Sequence, residues 1–461
     1  MKTLADPGHA LSAELDAIRV QFQVPDAFPP EVVAAAEAAA RRAPNEHVDR
    51  TAEHFVTLDP ASSKDLDQAF AIERRGDDIL LHYAIADVGW FVDDGGVIDA
   101  EAWRRGTTLY LPDGKAGLYP PALSEGAASL LPDGPRPAVV FTVGVAEDGA
   151  VKLDGAERAI IQSRAKLAYE DVAAADLPPD FGDLARRIEA AEERRGAARV
   201  DPPEQEVQPL VDGHYALRFR PRTPAEGRNA SLSLATNMAI ADALLAHRTG
   251  LFRVMAEPDG RAIKRLRLTA AAFGLDWPKR QSLADFSRAL DAGDGKHAAF
   301  MLAVRRASTG ASYAPYREGI VPRHSAMAAT YAHATAPLRR LADRYVVDAT
   351  LAIANGRAVP EAAVQAFVRL PKVMARADAL SGQVERAVID LAEAAMLAAR
   401  EGEQFDALVT DVDERGVRMQ LCDLPVVARI VAHKVAPGDL MRVTLIAADP
   451  VTRKVEFQRN A

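Results

Sequence analysis

The apolar pattern of this chain changes period twice, and that change rules out any single uniform architecture. From Thr51 to about Ala150, short apolar runs such as ILLHYAIADV and AVVFTVGV alternate with Gly, Asp and Pro turns, which predicts strands. From Ala165 to Arg400 helical spacing dominates, in stretches such as LSLATNMAIADALLAH, TAAAFGL and AVIDLAEAAMLAAR. After that the pattern returns to strands, FDALVTDVDERGVRMQL, VVARIVAHKV, GDLMRVTLIAAD and KVEFQ, a set that suggests a small closed barrel. At the other end, Asp6 to about Val24 reads as a helix, and Pro29-Pro30 introduces a second one ending near Ala43-Pro44. This lead-in is either a packing arm or a helix-turn-helix that guides nucleic acid.

The chain's 461 residues exceed what one hydrophobic core organises. The expected fold is therefore multidomain α+β: a helical region over 1–50, a mixed α/β domain over 51–400 and a β-barrel over 401–461.

Charge and cysteine usage narrow the function classes. A formal net charge of −9 argues against coating nucleic acid by bulk positive potential, so any such contact must come from a local groove. The single cysteine, Cys422, excludes an intrachain disulfide framework and a cysteine-rich zinc site, and fits a reducing cytoplasm. Neither an N-terminal apolar h-region nor a run of ~18 apolar residues is present, so no membrane association is expected. In that setting the Asn229-Ala230-Ser231 glycosylation pattern is chance.

The segment TLDPASSKDLDQAF, from Thr57 to Phe70, places Asp59, Asp65 and Asp67 just after the strand-like HFVTL. Carboxylates crowded on one strand-to-loop turn repel unless a divalent cation neutralises them, and hard oxygen ligands favour magnesium or manganese. The chemistry this implies is phosphodiester hydrolysis. On spacing alone an aspartate-rich surface turn is the favoured reading. The segment does not follow the calcium-loop pattern of EF-hands.

This segment resembles the signature of the ribonuclease II and ribonuclease R (RNB) superfamily, an aspartate followed by a compact group of further aspartates. HYAIADVGWFVDDGGVIDAEAWRRGTTLYLPD from His82, the stretch PPALSEGAASLLPDGPRPAV from 120 to 139, and YAHATAPLRRLADRY from Tyr331 to Tyr345 resemble the same domain in order and spacing. The resemblance implies a 3′-to-5′ hydrolytic exoribonuclease that degrades single-stranded RNA to nucleoside 5′-monophosphates, processively and with Mg2+, for which Mn2+ can substitute. It assigns catalysis and metal binding to Asp59, Asp65 and Asp67. Where the family usually has a fourth aspartate, this chain has Gln68, whose amide oxygen can ligate a metal but carries no charge.

The resemblance further implies that Arg339 contacts the scissile phosphate, a task suited to a planar, permanently charged guanidinium. Tyr110 matches a tyrosine that stacks on the terminal nucleotides, and Tyr169 one that helps set product length; aromatic faces grip any base. Arg340 and Arg220 are further RNA-contact candidates, with helix-surface and strand-edge roles as the alternatives. Arg220 belongs to the basic patch Arg218 to Arg222, and Lys264-Arg265-Leu266-Arg267 forms a second patch. An acidic pair usual in a family helix is replaced by Ala235 and Thr236, which weakens the expected discrimination of ribose. His333 is expected to be structural.

The segment from about Glu403 to Ala461 resembles the ribosomal protein S1 type of OB-fold, which binds single-stranded RNA across one face. The region ahead of residue 51 is too short for the cold-shock pair of longer relatives, so structured RNA ends are expected to enter more easily. No protein partner is expected, and the chain reads as a monomer. The alternative function is an RNA-binding regulator with a degenerate site, motivated by Gln68 and the missing acidic pair. An ATPase is poorly supported, because Gly293-Asp294-Gly295-Lys296-His297 lacks phosphate-loop spacing.

Overall fold

The structure, a computed structural model, describes residues 10–197, 204–209, 215–220, 223–291, 293–307, 310–414 and 416–460. Two helices lead in, α1 (Ala10–Gln21) and α2 (Pro30–Ala39), the latter opened by a proline at its first position, where no donor is needed. The expected start of the first helix at Asp6 lies outside the described residues. Leu11, Leu15 and Ile18 of α1 are buried in a cluster with Leu109, Leu111 and Val388, so this helix is a packing arm rather than a free recognition element.

The predicted strand-rich region forms a mixed sheet. Its strands are β1 (Val48–Asp49), β2 (Phe55–Asp59), β3 (Gln68–Arg75) and β4 (Asp78–Ala86), then, after a break, β7 (Arg136–Val145), β8 (Val151–Ile161) and β9 (Ser163–Ala168). The break holds helices α3 (Val88–Phe91) and α4 (Val97–Arg105) and a hairpin of β5 (Leu109–Leu111) and β6 (Gly114–Ala116). In space the order is β1-β8-β7-β4-β3-β2-β9; β1 pairs parallel to β8 and β2 parallel to β9, and the other pairings are antiparallel. Runs such as Leu80 to Ala86 are buried on both faces, which is why they read as continuous apolar stretches.

Helices α5 (Phe181–Arg195) and α6 (Pro224–Ala246) pack on this sheet, with Phe181 stacked on Phe70 at 5.6 Å. α6 opens with a capping box: Thr223 Oγ1 accepts from the Glu226 N–H at 3.2 Å, and Glu226 Oε2 accepts from the Thr223 N–H at 2.7 Å. Next come α7 (Gly260–Ala272), α8 (Leu283–Arg288), α9 (Gly295–Ala307), α10 (Leu341–Ala354) and the 37-residue α11 (Glu361–Leu397). Helix dominates Ala165 to Arg400, as the apolar spacing there implies. Short hairpins interrupt it, β10 (Glu204–Pro209) with β11 (Tyr215–Arg220), β12 (Leu251–Val254) with β13 (Ser312–Pro315), and β14 (Arg323–His324) with β15 (Ala329–Thr330). Such brief strands show no resolvable period.

The C-terminal strands β16 (Gln404–Asp413), β17 (Gly416–Leu421), β18 (Val427–Ile430), β19 (Leu440–Asp449) and β20 (Lys454–Arg459) run β18-β17-β16-β19-β20. β18 approaches β20 and nearly closes the antiparallel barrel around Val409, Val417, Met419, Val443 and Leu445. The multidomain α+β reading, with a C-terminal OB barrel, therefore stands. No helix among the described residues is long and apolar enough to cross a membrane.

Candidate active site

β2 ends in Asp59 and its sheet neighbour β3 begins at Gln68, so the loop 60–67 must turn over the sheet end, carrying Asp65 and Asp67 with it. Three anchors hold that loop. Lys166 on β9 donates from Nζ to the Ala61 and Ser63 carbonyls at 2.7 and 2.6 Å. Ser129 accepts from the Leu66 N–H at 2.9 Å and donates to the Lys64 carbonyl at 2.7 Å. Leu66 itself is fully buried, so one apolar side chain draws the two flanking acids against the protein.

Each carboxylate has a different environment. Asp67 is buried; its Oδ1 accepts from the Leu338 N–H at 2.7 Å and its Oδ2 lies 3.3 Å from Arg339 Nε. Asp59 has a buried Oδ2 with no hydrogen-bond partner. Asp65 is bound by Lys115 Nζ at 2.9 Å and accepts from the Tyr110 hydroxyl at 3.2 Å. Burial pushes Asp67 up to about 7 against the pull of Arg339 and the Leu338 N–H, and Asp65 adds to the rise. Burial likewise lifts Asp59 to about 6, opposed by Arg339 and Lys166 and reinforced by Asp65. Desolvated carboxylates with so few partners cost on the order of several kcal/mol each when ionised, which a bound cation offsets.

These acids are close enough to feel one another, yet they do not form a three-ligand cage. Among the described residues no group of three or more His, Cys, Asp or Glu side chains could hold a metal ion. Asp65 is instead engaged by Lys115 and Tyr110. Gln68 is also engaged, its Oε1 accepting from the Tyr83 hydroxyl at 2.6 Å. The orphan Asp59 oxygen and the uplifted Asp67 still suit one hard cation sharing two carboxylates, with water and substrate oxygens completing its shell.

Arg339 is half-exposed, and its backbone carbonyl accepts from Thr107 Oγ1 at 2.8 Å and from the Thr108 N–H at 3.0 Å, which fixes the motif loop to the strand carrying Tyr110. Tyr110 itself is 54% exposed and therefore offers a ring face at the mouth of the cluster. Tyr169 lies beside Asp59: its N–H donates to the Asp59 carbonyl at 3.3 Å, and its hydroxyl accepts from Asn229 Nδ2 at 2.8 Å. Asn229 also donates to the Leu58 carbonyl at 3.0 Å, so α6 holds both strands of this corner.

Arg340 does not join the cluster. Its guanidinium makes a two-point contact with Asp343, 3.0 Å from Nε and 2.7 Å from Nη2, inside one helical turn. Arg220 is likewise engaged within the chain, with Glu206 at 3.3 Å and Glu226 at 2.8 Å, and Arg222 lies outside the described residues. In the second basic patch, Arg267 donates to the carbonyls of Trp277, Pro278, Lys279 and Gln281, a structural task. His333 is buried against Tyr313, whose hydroxyl is 2.9 Å from Nδ1, and burial holds the imidazole well below its ordinary value. It is a neutral packing group. Ala235 and Thr236 are buried in α6.

Sequence reasoning missed Lys115, Lys166, Tyr83 and Asn229. Only Lys115 had a local signal: Leu111-Pro112-Asp113-Gly114 is a hairpin turn, and its register sets Lys115 opposite Tyr110.

A mixed sheet with buried acids at one end, coupled to a C-terminal OB barrel, defines a multidomain α+β protein. The family model for the RNB domain matches residues 47–353, and that for the RNase II-type exonuclease C-terminal S1 domain matches residues 403–460. The chain belongs to the RNB-domain family. It is 25% identical to ribonuclease R of Aquifex aeolicus over 513 residues, covering 99% of this chain and 72% of that protein. It is also 26% identical to ribonuclease R 1 of Lactococcus lactis over 90% of this chain and 54% of that protein. The structure resembles Mycoplasma genitalium RNase R in complex with ribose-methylated single-stranded RNA, with a TM-score of 0.87 and 18% identity over 100% of this chain and 79% of that one. It also resembles yeast Ssd1, a pseudonuclease, with a TM-score of 0.67 and 15% identity over 96% and 58%.

Proposed function

We propose that this protein is a 3′-to-5′ exoribonuclease that hydrolyses single-stranded RNA to nucleoside 5′-monophosphates. The observation that carries this reading is the orphan oxygen of Asp59 beside the buried Asp67–Arg339 pair, flanked by an exposed tyrosine. Asp59 and Asp67 would hold Mg2+, or Mn2+ in its place, which polarises the scissile phosphate and acidifies the attacking water. Arg339 takes the phosphate oxygens, with Asp67 fixing the direction of its Nε edge. Tyr110 stacks on a terminal base while its hydroxyl is steadied by Asp65, which Lys115 holds in place. Tyr169 bounds the far side of Asp59. In this reading residues 51–400 carry the chemistry, 401–461 hold incoming RNA, and 1–50 brace the Tyr110 hairpin, with the reducing cytoplasm as the setting.

The test is a degradation assay on uniformly labelled single-stranded RNA, with magnesium and then with chelator. Mononucleotide release that chelator stops, lost in Asp67→Asn while RNA binding persists, supports the reading; turnover retained by Asp67→Asn defeats it. A second reading, an RNA-binding regulator without hydrolysis, is favoured by Gln68 and by the absence of a three-ligand group among the described residues. RNA binding with no product in either metal would select it.

A further inference from the structure

Away from the aspartate loop, the outer face of β17 and β18 is turned onto helices α9 and α11 across a cavity of about 510 Å3. Along β17, Val417, Met419 and Leu421 fill the barrel, so Arg418 and Gln420 must project outward, and Arg429 of β18 is the register partner of Arg418. Arg306 and Arg386 enter the same cavity from α9 and α11. With Arg305 of α9, five guanidiniums from four elements thus line one space.

Their compensation is incomplete. Arg429 is bound by Asp413 at 2.6 and 2.7 Å, and Arg306 has Asp411 at 3.7 Å. Arg418 has no ion pair within 4 Å, and its buried Nε has no hydrogen-bond partner; Gln420, one alternate position further along, has a buried Oε1 in the same condition. Arg386 has no ion pair within that distance either, among the described residues. Burial depresses the Arg418 guanidinium, and Arg429 and Arg386 depress it further. The lining carboxylates, Glu385, Asp390 and Glu393, are fewer than the five lining arginines. Glu393 is occupied by Gln205 Nε2 at 2.7 Å and the Val427 N–H at 2.8 Å, and burial raises it to about 7; burial raises Asp390 as well.

We infer that the cleft between the barrel face and helices α9 and α11 is a binding site for a phosphate group, gripped by Arg386 and Arg418. The guanidinium fork matches two phosphate oxygens, and an anion relieves the mutual repulsion of the arginines. The volume falls within the ~300–1,000 Å3 of small-molecule sites and admits a mononucleotide. No aromatic ring lines it, so recognition is of phosphate rather than of base. The phosphate belongs either to a free nucleotide or to the backbone of an RNA strand. None of the lining residues belongs to the aspartate site, so the inference does not depend on hydrolysis.

Isothermal titration of the intact chain in chelator tests it, with inorganic phosphate, adenosine 5′-monophosphate and a short single-stranded oligoribonucleotide as probes. Arg386→Gln and Arg418→Gln are each expected to weaken binding at least ten-fold, and Arg418→Lys less so. Binding of all three probes assigns free anions to the site; binding of the oligonucleotide alone, weakened by the same substitutions, assigns a strand. The inference is overturned if no probe binds, if Arg386→Gln and Arg418→Gln bind as the parent does, or if Lys152→Gln, an exposed charge on β8 that does not line the cleft, weakens binding equally. Arg386 lies on an exposed helix position, so its variant remains informative should Arg418→Gln melt early.

Discussion

Gln68 is the residue at which this chain departs from the pattern it resembles. Its neutral amide accepts from Tyr83, whereas a carboxylate there would add charge beside Asp67. Gln68→Asp is expected to lower the magnesium concentration for half-maximal activity about ten-fold, equivalent to ~1.4 kcal/mol of added cation affinity. A magnesium titration of initial rates measures this, and an unchanged or higher midpoint would remove Gln68 from the metal site. Lys115 makes the second prediction at this scale. It bridges Asp65 at 2.9 Å and Glu125 at 3.0 Å from a position only 23% exposed. Lys115→Gln should cost about 1 kcal/mol in stability, as partly exposed ion pairs do, and raise KM more than it lowers kcat, because Tyr110 loses its anchored partner. An equal loss in kcat with unchanged KM would argue that Lys115 acts on the chemistry instead.

Among the elements, α11 is the spine. At ~1.5 Å per residue it extends about 55 Å, and it touches α1, the β5 strand, the β10 and β11 hairpin, and barrel strands β19 and β20. Its contact with the barrel includes Glu393, whose carboxylate receives Gln205 and the Val427 N–H. Burial raises Glu393 to about 7, with Asp390 adding to the rise and Arg386 opposing it. The sign follows from proton counting: between the ordinary glutamate value and about 7 the folded state keeps a proton that the unfolded state has lost, so stability falls as pH rises through this window. Glu393→Gln should flatten that decline in a series of thermal melts from pH 4.5 to 7.5, and an undiminished slope would assign it to other groups. The turn between β7 and β8 makes a sharper test of packing. Gly149 has φ +73°, and a Cβ there would lie 2.2 Å from the Arg187 carbonyl oxygen on α5. Gly149→Ala is expected to destabilise by about 3 kcal/mol in urea unfolding, combining left-handed strain with overpacking.

For the molecule as a whole, the question is what couples barrel to catalytic unit. Gly438, at φ +95° in the loop before β19, passes so close to the end of α7 that a Cβ would lie 2.1 Å from the Ala272 carbonyl oxygen. Leu408 of β16 packs beside it on the cluster of Leu266, Phe273, Trp277 and Phe300. Gly438→Ala must therefore push the barrel outward. If the barrel holds incoming RNA for the aspartate site, this variant loses affinity for long single strands while cleaving dinucleotides at the parental rate. Equal loss on both substrates would indicate general misfolding.

The local pattern was enough to read the order of strand-rich, helical and barrel regions, and motif likeness named Asp59, Asp65, Asp67, Arg339 and Tyr110, which the fold brings near one another, because period and spacing are properties of neighbouring residues. The division of labour among those groups was not legible. Which carboxylate is left with a free oxygen depends on Lys115, Lys166 and Leu338, and whether an arginine faces a groove or a neighbour, as Arg339 and Arg340 differ, depends on which acid lies within reach. Those partners come from strands and loops distant in the chain, and nothing in local spacing encodes which of many possible long-range contacts the packed core permits. The arginine-lined cleft is the same case at larger scale: its side chains are spread from Arg306 to Arg429 and share a cavity only because the barrel docks with that face inward.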